Sequence, residues 1–243
     1  MTMLAALPKG RTERVIFFGT PEIAVGPLRA LVAAGFVVDL VVTGIDKRRG
    51  RGSQTSPSPV KQAAIELQLP VTHDVTDAIA LVTKNRANGG SVVDSCIGVV
   101  VAYGHIISTE ALQVLPMINI HYSLLPRWRG AAPVERALLA GDEQAGVCIM
   151  QVVEQLDAGD ILSSASTQIS QTDTTSSLRA RLGEIATPLL IDVLSNGVSI
   201  TKSQSGDVVV AAKITQADLE IDWSKPAVVV DRQVRVGGAF TFF

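Results

Sequence analysis

The sequence predicts an α/β domain around a doubly wound parallel sheet, and three stretches carry that prediction. RVIFF at residues 14–18 is rich in β-formers and runs into Gly19, Thr20 and Pro21, after which Leu28, Leu31 and Val32 follow a helical pattern that stops at Gly35. FVVDLVVT at 36–43 and CIGVVVAYG at 96–104 are nearly unbroken apolar runs, the pattern of strands buried on both faces. Strand, tight turn, helix and second buried strand are the units of such a sheet, whose ligands gather at the carboxyl ends of its strands.

The elements follow in order. Residues 44–59, GIDKRRGRGSQTSPSP, break the pattern: Lys47, Arg48, Arg49 and Arg51 fall within five positions among glycines and serines. None of them can be buried cheaply, so the segment reads as a basic loop. Following a strand, it shares the sheet edge with the other strand ends, where its charge suits a phosphate-bearing substrate. A helix over 60–67 leads to a short strand at 69–73 ending on His73, read as a surface residue. Tyr103, Gly104 and His105 end the strand at 96–104, again at the active edge. MINI at 117–120 is a short buried strand, a helix opens at Pro133 and closes at Gly141, and 146–153 is a further strand. LRARLGEIATPLLIDVL at 178–194 is an amphipathic helix ended by Asn196 and Gly197.

Composition narrows the function classes. A chain of 243 residues can bury a substantial core. Its 21 basic residues balance 23 acidic ones, so no bulk field draws it onto nucleic acid and any basic surface is local. Cys96 and Cys148 lie in apolar runs and read as buried thiols of a reducing cytoplasm. Three scattered histidines without a CxxC argue against a metal site. The turn FFGTP lacks GxGxxG spacing and no GxSxG elbow occurs, so neither a dinucleotide nor a nucleophilic serine is supported. No apolar run approaches the roughly eighteen residues of a membrane span, and residues 1–13 read as a disordered lead-in.

The chemistry is densest in NIHYSLLPRWRGAAP at 119–133. Asn119 and His121, two apart on a strand, leave the same face, so an amide and an imidazole converge. Ser123, Leu124, Leu125 and Pro126 form a turn whose peptide groups no ladder satisfies, suited to face a ligand. Arg127, Trp128 and Arg129 add charge and a stacking surface. Asp157 and Asp160 flank a glycine in LDAGD, which by itself is an ordinary acidic turn.

Together, NIHYSLLPRWRGAAP, GVCIMQ at 146–151 and LDAGD at 156–160 resemble the folate-dependent formyltransferases from Val15 onward, and RWRGAAP resembles their methionyl-tRNA branch. The resemblance implies a Rossmann-like catalytic domain over 14–200, a linker over 201–212 and, over 213–243, the start of an incomplete C-terminal OB-like β-barrel that helps bind tRNA. An unfinished barrel is expected to expose strand edges. The resemblance also implies Asn119, His121 and Asp157 as catalytic residues, and Tyr103, Gly104 and the turn from Ser123 through Leu124 and Leu125 to Pro126 on the folate. Lys47, Arg48, Arg49 and Arg51, with Arg127 and Arg129, are implied on the tRNA. It further implies 10-formyltetrahydrofolate as donor, methionine-charged initiator tRNA as acceptor, no metal, a monomer and a cytoplasmic location. Two positions depart from the family: Tyr122 stands where a small residue is usual and would narrow the pocket, and Lys47 replaces a common arginine, trading a fork for a point charge that Arg48 and Arg49 offset.

Formyl transfer to an amine requires donor and amine held together, charge on the formyl oxygen stabilised, and a proton moved to the departing nitrogen. Asn119 and His121 are expected to donate to that oxygen, and Asp157 to orient the imidazole and accept a proton through water. Two other readings remain open at this level. One is a folate- or RNA-binding fragment without turnover; the other is a formyltransferase for a nucleotide-linked amine or an amino sugar, against which RWRGAAP and the basic loop argue.

Overall fold

The computed structural model describes residues 3–8, 10–48, 55–87, 96–197 and 201–242. In chain order, β1 (Arg14–Gly19) passes through a 3₁₀ turn (Glu22–Ala24) into α1 (Val25–Ala33), then come β2 (Val37–Val42) and a short antiparallel pair, β3 (Lys47–Arg48) and β4 (Thr55–Ser56). Next are α2 (Pro59–Glu66), β5 (Val71–Thr72), α3 (Val75–Ala87), β6 (Cys96–Val101), α4 (Thr109–Val114), β7 (Met117–His121) and β8 (Arg127–Gly130). The chain continues with α5 (Pro133–Ala140), β9 (Gln144–Gln151), β10 (Ile161–Gln168), α6 (Thr175–Asn196), β11 (Val209–Ala211), α7 (Gln216–Leu219) and α8 (Ala227–Val236).

Seven strands form the main sheet in the order β10-β9-β7-β6-β1-β2-β5. The pairings among β5, β2, β1, β6 and β7 are parallel, whereas β9 and β10 are antiparallel to their neighbours. From β1 the chain winds outward to β2 and β5, then crosses back to β6 and β7. The switch point therefore lies between the carboxyl ends of β1 and β6, where an open α/β sheet leaves a crevice.

Alternation along the strands builds a layer on each face. Val15, Phe17, Ile97, Val99, Ile118 and Ile120 meet Leu28, Leu31, Leu182 and Leu190 of α1 and α6 on one side. Ile16, Phe18, Val100 and Met117 meet Ala78, Val82, Ala111 and Leu112 of α3 and α4 on the other. These side chains are almost fully enclosed, which explains the unbroken apolar runs. Helix ends carry matching signals. Ser58 and Ser108 accept backbone N–H bonds from Lys61 and Ala111, Thr174 and Ser177 form a capping box on α6, and Gly141 closes α5 at φ +73°.

The antiparallel edge is a finding of the structure. β10, ILSSASTQ, alternates half-buried and exposed residues because only one of its faces is covered, so it lacks the apolar run that marks the central strands. Residues 201–212, read as a linker, are tied into the catalytic unit: Lys202 bridges to Ile161, and β11 pairs in parallel with β8. Residues 213–243, expected to open a barrel, carry α7, α8 and a bridge between Glu220 and Phe240; no barrel strand occurs among the described residues. Among those residues no helix is long and apolar enough to cross a membrane.

The C-terminal helices are held to α5 by Arg136, whose guanidinium donates to both Asp218 carboxylate oxygens at 2.6 and 3.0 Å and to the carbonyls of Ala212 and Lys213 at 2.9 and 3.0 Å. These bonds, with the Thr215 backbone N–H, hold the Asp218 carboxyl down to about 2 from an ordinary 3.8. A depressed carboxyl adds stability that is complete above about pH 4 and is lost as pH falls through the folded value. Asp218→Asn is therefore expected to be less stable than wild type in denaturant melts at pH 7, and the gap is expected to close as the buffer approaches pH 2.

Candidate active site

The site is assembled at the carboxyl ends of β1, β6 and β7. Strand alternation sends Ile118 and Ile120 to the α1/α6 face, leaving Met117, Asn119 and His121 on the other. Asn119 is half-buried, and its side-chain amide makes no hydrogen bond among the described residues. His121 is buried, with Nε2 2.8 Å from the Trp128 carbonyl. A carbonyl only accepts, so the imidazole proton sits on Nε2 and Nδ1 is left facing Asp157, 3.6 Å from its Oδ2.

Trp128 reaches that position through an unusual backbone. Its φ of +68° is an outlier for a bulky residue, and three contacts hold it there. The indole N–H donates to Asp142 Oδ2 at 2.7 Å, Arg127 forks onto the same carboxylate at 2.9 and 2.7 Å, and the Arg127 guanidinium lies 4.3 Å above the indole ring.

Asp157 is fixed with similar care. Its φ is +49°, a region aspartate tolerates better than most residues, and its Oδ2 accepts the Gly130 N–H at 2.8 Å. Gly130 sits at φ +124°, and a Cβ there would come 2.7 Å from the Ala211 carbonyl oxygen. Gln204 completes the frame: its Nε2 donates to the carbonyls of Asp157 and Gly159, both at 2.8 Å, while its Oε1 accepts from Arg129 at 3.0 and 2.7 Å. Sequence reasoning missed Gln204, which lies in the presumed linker 47 positions from Asp157. Asp160 has a separate task, accepting the hydroxyls of Thr201 and Ser203 at 3.0 and 2.9 Å.

The Ser123–Pro126 turn is folded by its own groups. Ser123 Oγ donates to the Arg127 carbonyl at 2.6 Å, the Leu125–Pro126 peptide is cis, Leu125 packs against Cys148 and Met150, and Leu124 covers Gly146. Tyr103 is buried edge-on to Phe18, and its carbonyl accepts the Thr20 hydroxyl at 3.0 Å, tying the β1 turn to the end of β6. Gly104 is exposed at φ +83°, beside His105, which stacks on Tyr103. Burial pushes the Cys96 thiol up to about 12 and raises Cys148 as well, so both are enclosed, unreactive thiols.

The basic residues divide. Arg129, half-buried, is engaged by Gln204, and Arg127, exposed at the surface, is paired with Asp142. Lys47 is exposed on β3, where Arg48 continues the strand, while Arg49 and Arg51 lie outside the described residues. The root of this segment is clamped: Lys61 Nζ lies 2.8 Å from both Asp46 oxygens and 3.3 Å from His73 Nε2, and His73 Nδ1 lies 3.0 Å from the Thr43 carbonyl. Tyr122 does not narrow the site around Asn119 and His121; as the next residue along, its side chain enters the opposite core layer. Among the described residues no group of three or more His, Cys, Asp or Glu is placed to hold a metal ion.

Residues 13–194 match the family described as formyl transferase. A methionyl-tRNA formyltransferase of Ruegeria pomeroyi is 41% identical over 226 residues, covering 91% of this chain and 74% of that protein. One of Heliobacterium modesticaldum is 42% identical over 238 residues, covering 94% and 74%. The chain belongs to the formyl transferase family, among the methionyl-tRNA formyltransferases. Formyl transferases of known structure share the fold at low identity. The N-formyltransferase from Helicobacter canadensis, solved with folinic acid and dTDP-3-aminofucose, superposes with a TM-score of 0.66 at 18% identity, over 92% of this chain and 80% of that one. Glycinamide ribonucleotide transformylase 1 from Symbiobacterium toebii gives 0.59 at 20% identity, over 76% and 86%.

Within this formyl transferase, Gln204 is a positioning residue for Asp157. Gln204→Glu keeps an acceptor for Arg129 but removes both N–H donors, leaving two carbonyls unpaired at about 1–3 kcal/mol. Turnover is expected to fall roughly ten- to a hundredfold with the KM for the formyl donor held within about twofold. Steady-state kinetics check this, and an unchanged kcat removes Gln204 from the site.

Proposed function

We propose that this chain transfers the formyl group of 10-formyltetrahydrofolate to the α-amine of methionine on initiator tRNA, for translation initiation. The observation that carries the reading is the junction at the strand ends, where Asp157, distant in sequence, meets both His121 and the Gly130 N–H beside an uncommitted Asn119. Its similarity to methionyl-tRNA formyltransferases over 91% of the chain supports the choice of acceptor.

The residues present suit a folate. Asn119 offers a free amide, Gly104 an exposed backbone without a Cβ, and the 123–126 turn peptide edges for a flat heterocycle. Tyr103, Gly104, Ser123, Leu124, Leu125 and Pro126 would hold it, and when bound it supplies a formyl group on a nitrogen. The Asn119 amide donates to the formyl oxygen as charge builds there. His121 Nε2 carries a second donor, shared in this structure with the Trp128 carbonyl. Asp157, fixed by Gly130, orients the imidazole from its Nδ1 side and passes the amine's proton, through water, to the departing folate nitrogen as its bond to the formyl carbon breaks. Lys47, Arg48, Arg49 and Arg51 contact acceptor-end phosphates, while Arg127 and Arg129 act through the site's shape. The enzyme works as a cytoplasmic monomer.

The decisive experiment is formyl transfer from 10-formyltetrahydrofolate to methionine-charged initiator tRNA. Losing a donor to a developing oxyanion costs about a hundred- to a thousandfold in rate, so His121→Ala and Asn119→Ala are each expected to lose at least a hundredfold in kcat. Full activity in either variant removes that residue from the catalytic group. Charge-neutral replacement of Lys47 and Arg48 is expected to raise the KM for tRNA and to flatten its salt dependence by about 0.7 per lost phosphate contact.

A further inference from the structure

Asp142 makes no hydrogen bond to Asn119, His121 or Asp157, yet it anchors the residue whose carbonyl meets the imidazole. Its own position is set by the end of α5. Gly141 turns the chain at φ +73°, its N–H bonds the Leu138 carbonyl at 3.1 Å, and the Asp142 N–H bonds the Ala137 carbonyl at 3.0 Å. This pair of bonds closes a helix on a left-handed glycine and fixes the residue that follows. The mostly enclosed Asp142 carboxylate then takes three N–H groups, one from the Trp128 indole at 2.7 Å and two from the Arg127 guanidinium at 2.9 and 2.7 Å.

The conformation held in this way is unfavourable by itself. A backbone at φ +68° disfavours a side chain as large as an indole, so without its anchor Trp128 relaxes and its carbonyl leaves His121. His121 lies between two acceptors, the Trp128 carbonyl 2.8 Å from Nε2 and Asp157 Oδ2 3.6 Å from Nδ1. A neutral imidazole has one N–H, and the nearer acceptor takes it. With the carbonyl gone, the carboxylate is the acceptor that remains, and the proton moves to Nδ1. Nε2 is then bare and offers no N–H to a formyl oxygen.

Building on the function proposed above, we infer that Asp142 is a positioning residue of formyl transfer, selecting the Nε2–H tautomer of His121 by locking the backbone of Trp128. Arg127 braces the same carboxylate from the solvent side. Asp142 acts on the reacting atoms through two other residues, so its loss changes the imidazole and not the binding of the formyl donor.

The histidine nitrogens supply the direct test, because their chemical shifts report the tautomer without any substrate. Long-range proton–nitrogen correlation spectra of the chain carrying isotope-labelled histidine are recorded at about pH 8, where an ordinary imidazole is neutral. Loss of signals in His121→Gln assigns the site. Wild type is expected to show His121 protonated at Nε2 and bare at Nδ1. Asp142→Ala is expected to move the proton toward Nδ1, and so is Trp128→Phe, which removes the same bond from the donor side while keeping an aromatic ring beside Arg127. Glycine reaches φ +68° without an anchor, so adding Trp128→Gly to Asp142→Ala is expected to restore the Nε2–H form. In turnover, Asp142→Ala is expected to lose about ten- to a hundredfold in kcat, the scale of a bond to a charged group, with the KM for the formyl donor held within about twofold. A wild type protonated at Nδ1, an unchanged tautomer in Asp142→Ala or Trp128→Phe, or no recovery on adding Trp128→Gly overturns the assignment. Formyl transfer to methionyl-tRNA by wild type is read separately: its absence defeats the functional reading, while the spectra still decide whether Asp142 sets the tautomer.

Discussion

The bond from the Gly130 N–H to the Asp157 carboxylate holds the site together, because it joins two segments that no ladder of the main sheet connects. Gly130 can present its N–H there only at a φ that excludes a side chain, and only because β11 lies close enough to pair with β8. Asp157 presents its oxygen only from a left-handed backbone, and Gln204 holds that turn through two carbonyls. A charge-assisted bond of this kind contributes about 1.5–3 kcal/mol, comparable to the roughly 1–3 kcal/mol cost of a residue in a sparsely populated backbone region. The junction is therefore balanced by its surroundings, which explains why segments from 119 to 211 all converge on it.

Trp128 shows the same logic from the other side. Its backbone turns the carbonyl onto His121 and so decides which imidazole nitrogen carries the proton. The unfavourable backbone is sustained by Asp142, which receives bonds from both the indole and Arg127. RWRG is thus held by internal partners: Asp142 takes Trp128 and Arg127, Gln204 takes Arg129, and Lys47 on β3 is exposed.

The two faces of the sheet edge carry different chemistry. On the α3/α4 face sit Asn119 and His121; on the α1/α6 face lies a cavity lined by carboxylates. A strand that alternates sides faces both with consecutive residues, and His121 and Tyr122 do so.

The sequence by itself determined the central sheet, because strands buried on both faces must be largely apolar, and 14–18, 36–43, 96–104 and 117–120 are nearly unbroken apolar runs. It also determined that Asn119 and His121 share a face, since a period of two allows nothing else, and that α5 ends at Gly141. Only the tertiary structure decided the rest. LDAGD reads locally as an acidic turn until folding brings Asp157 to His121, and Gln204 carries no local signal at all because its partners lie more than forty residues away. β10 and the short β8–β11 pair escaped the pattern because a half-covered edge needs few apolar residues. RWRG reads as free charge in the sequence and as anchored charge in the fold, because an ion pair depends on where Asp142 and Gln204 come to rest.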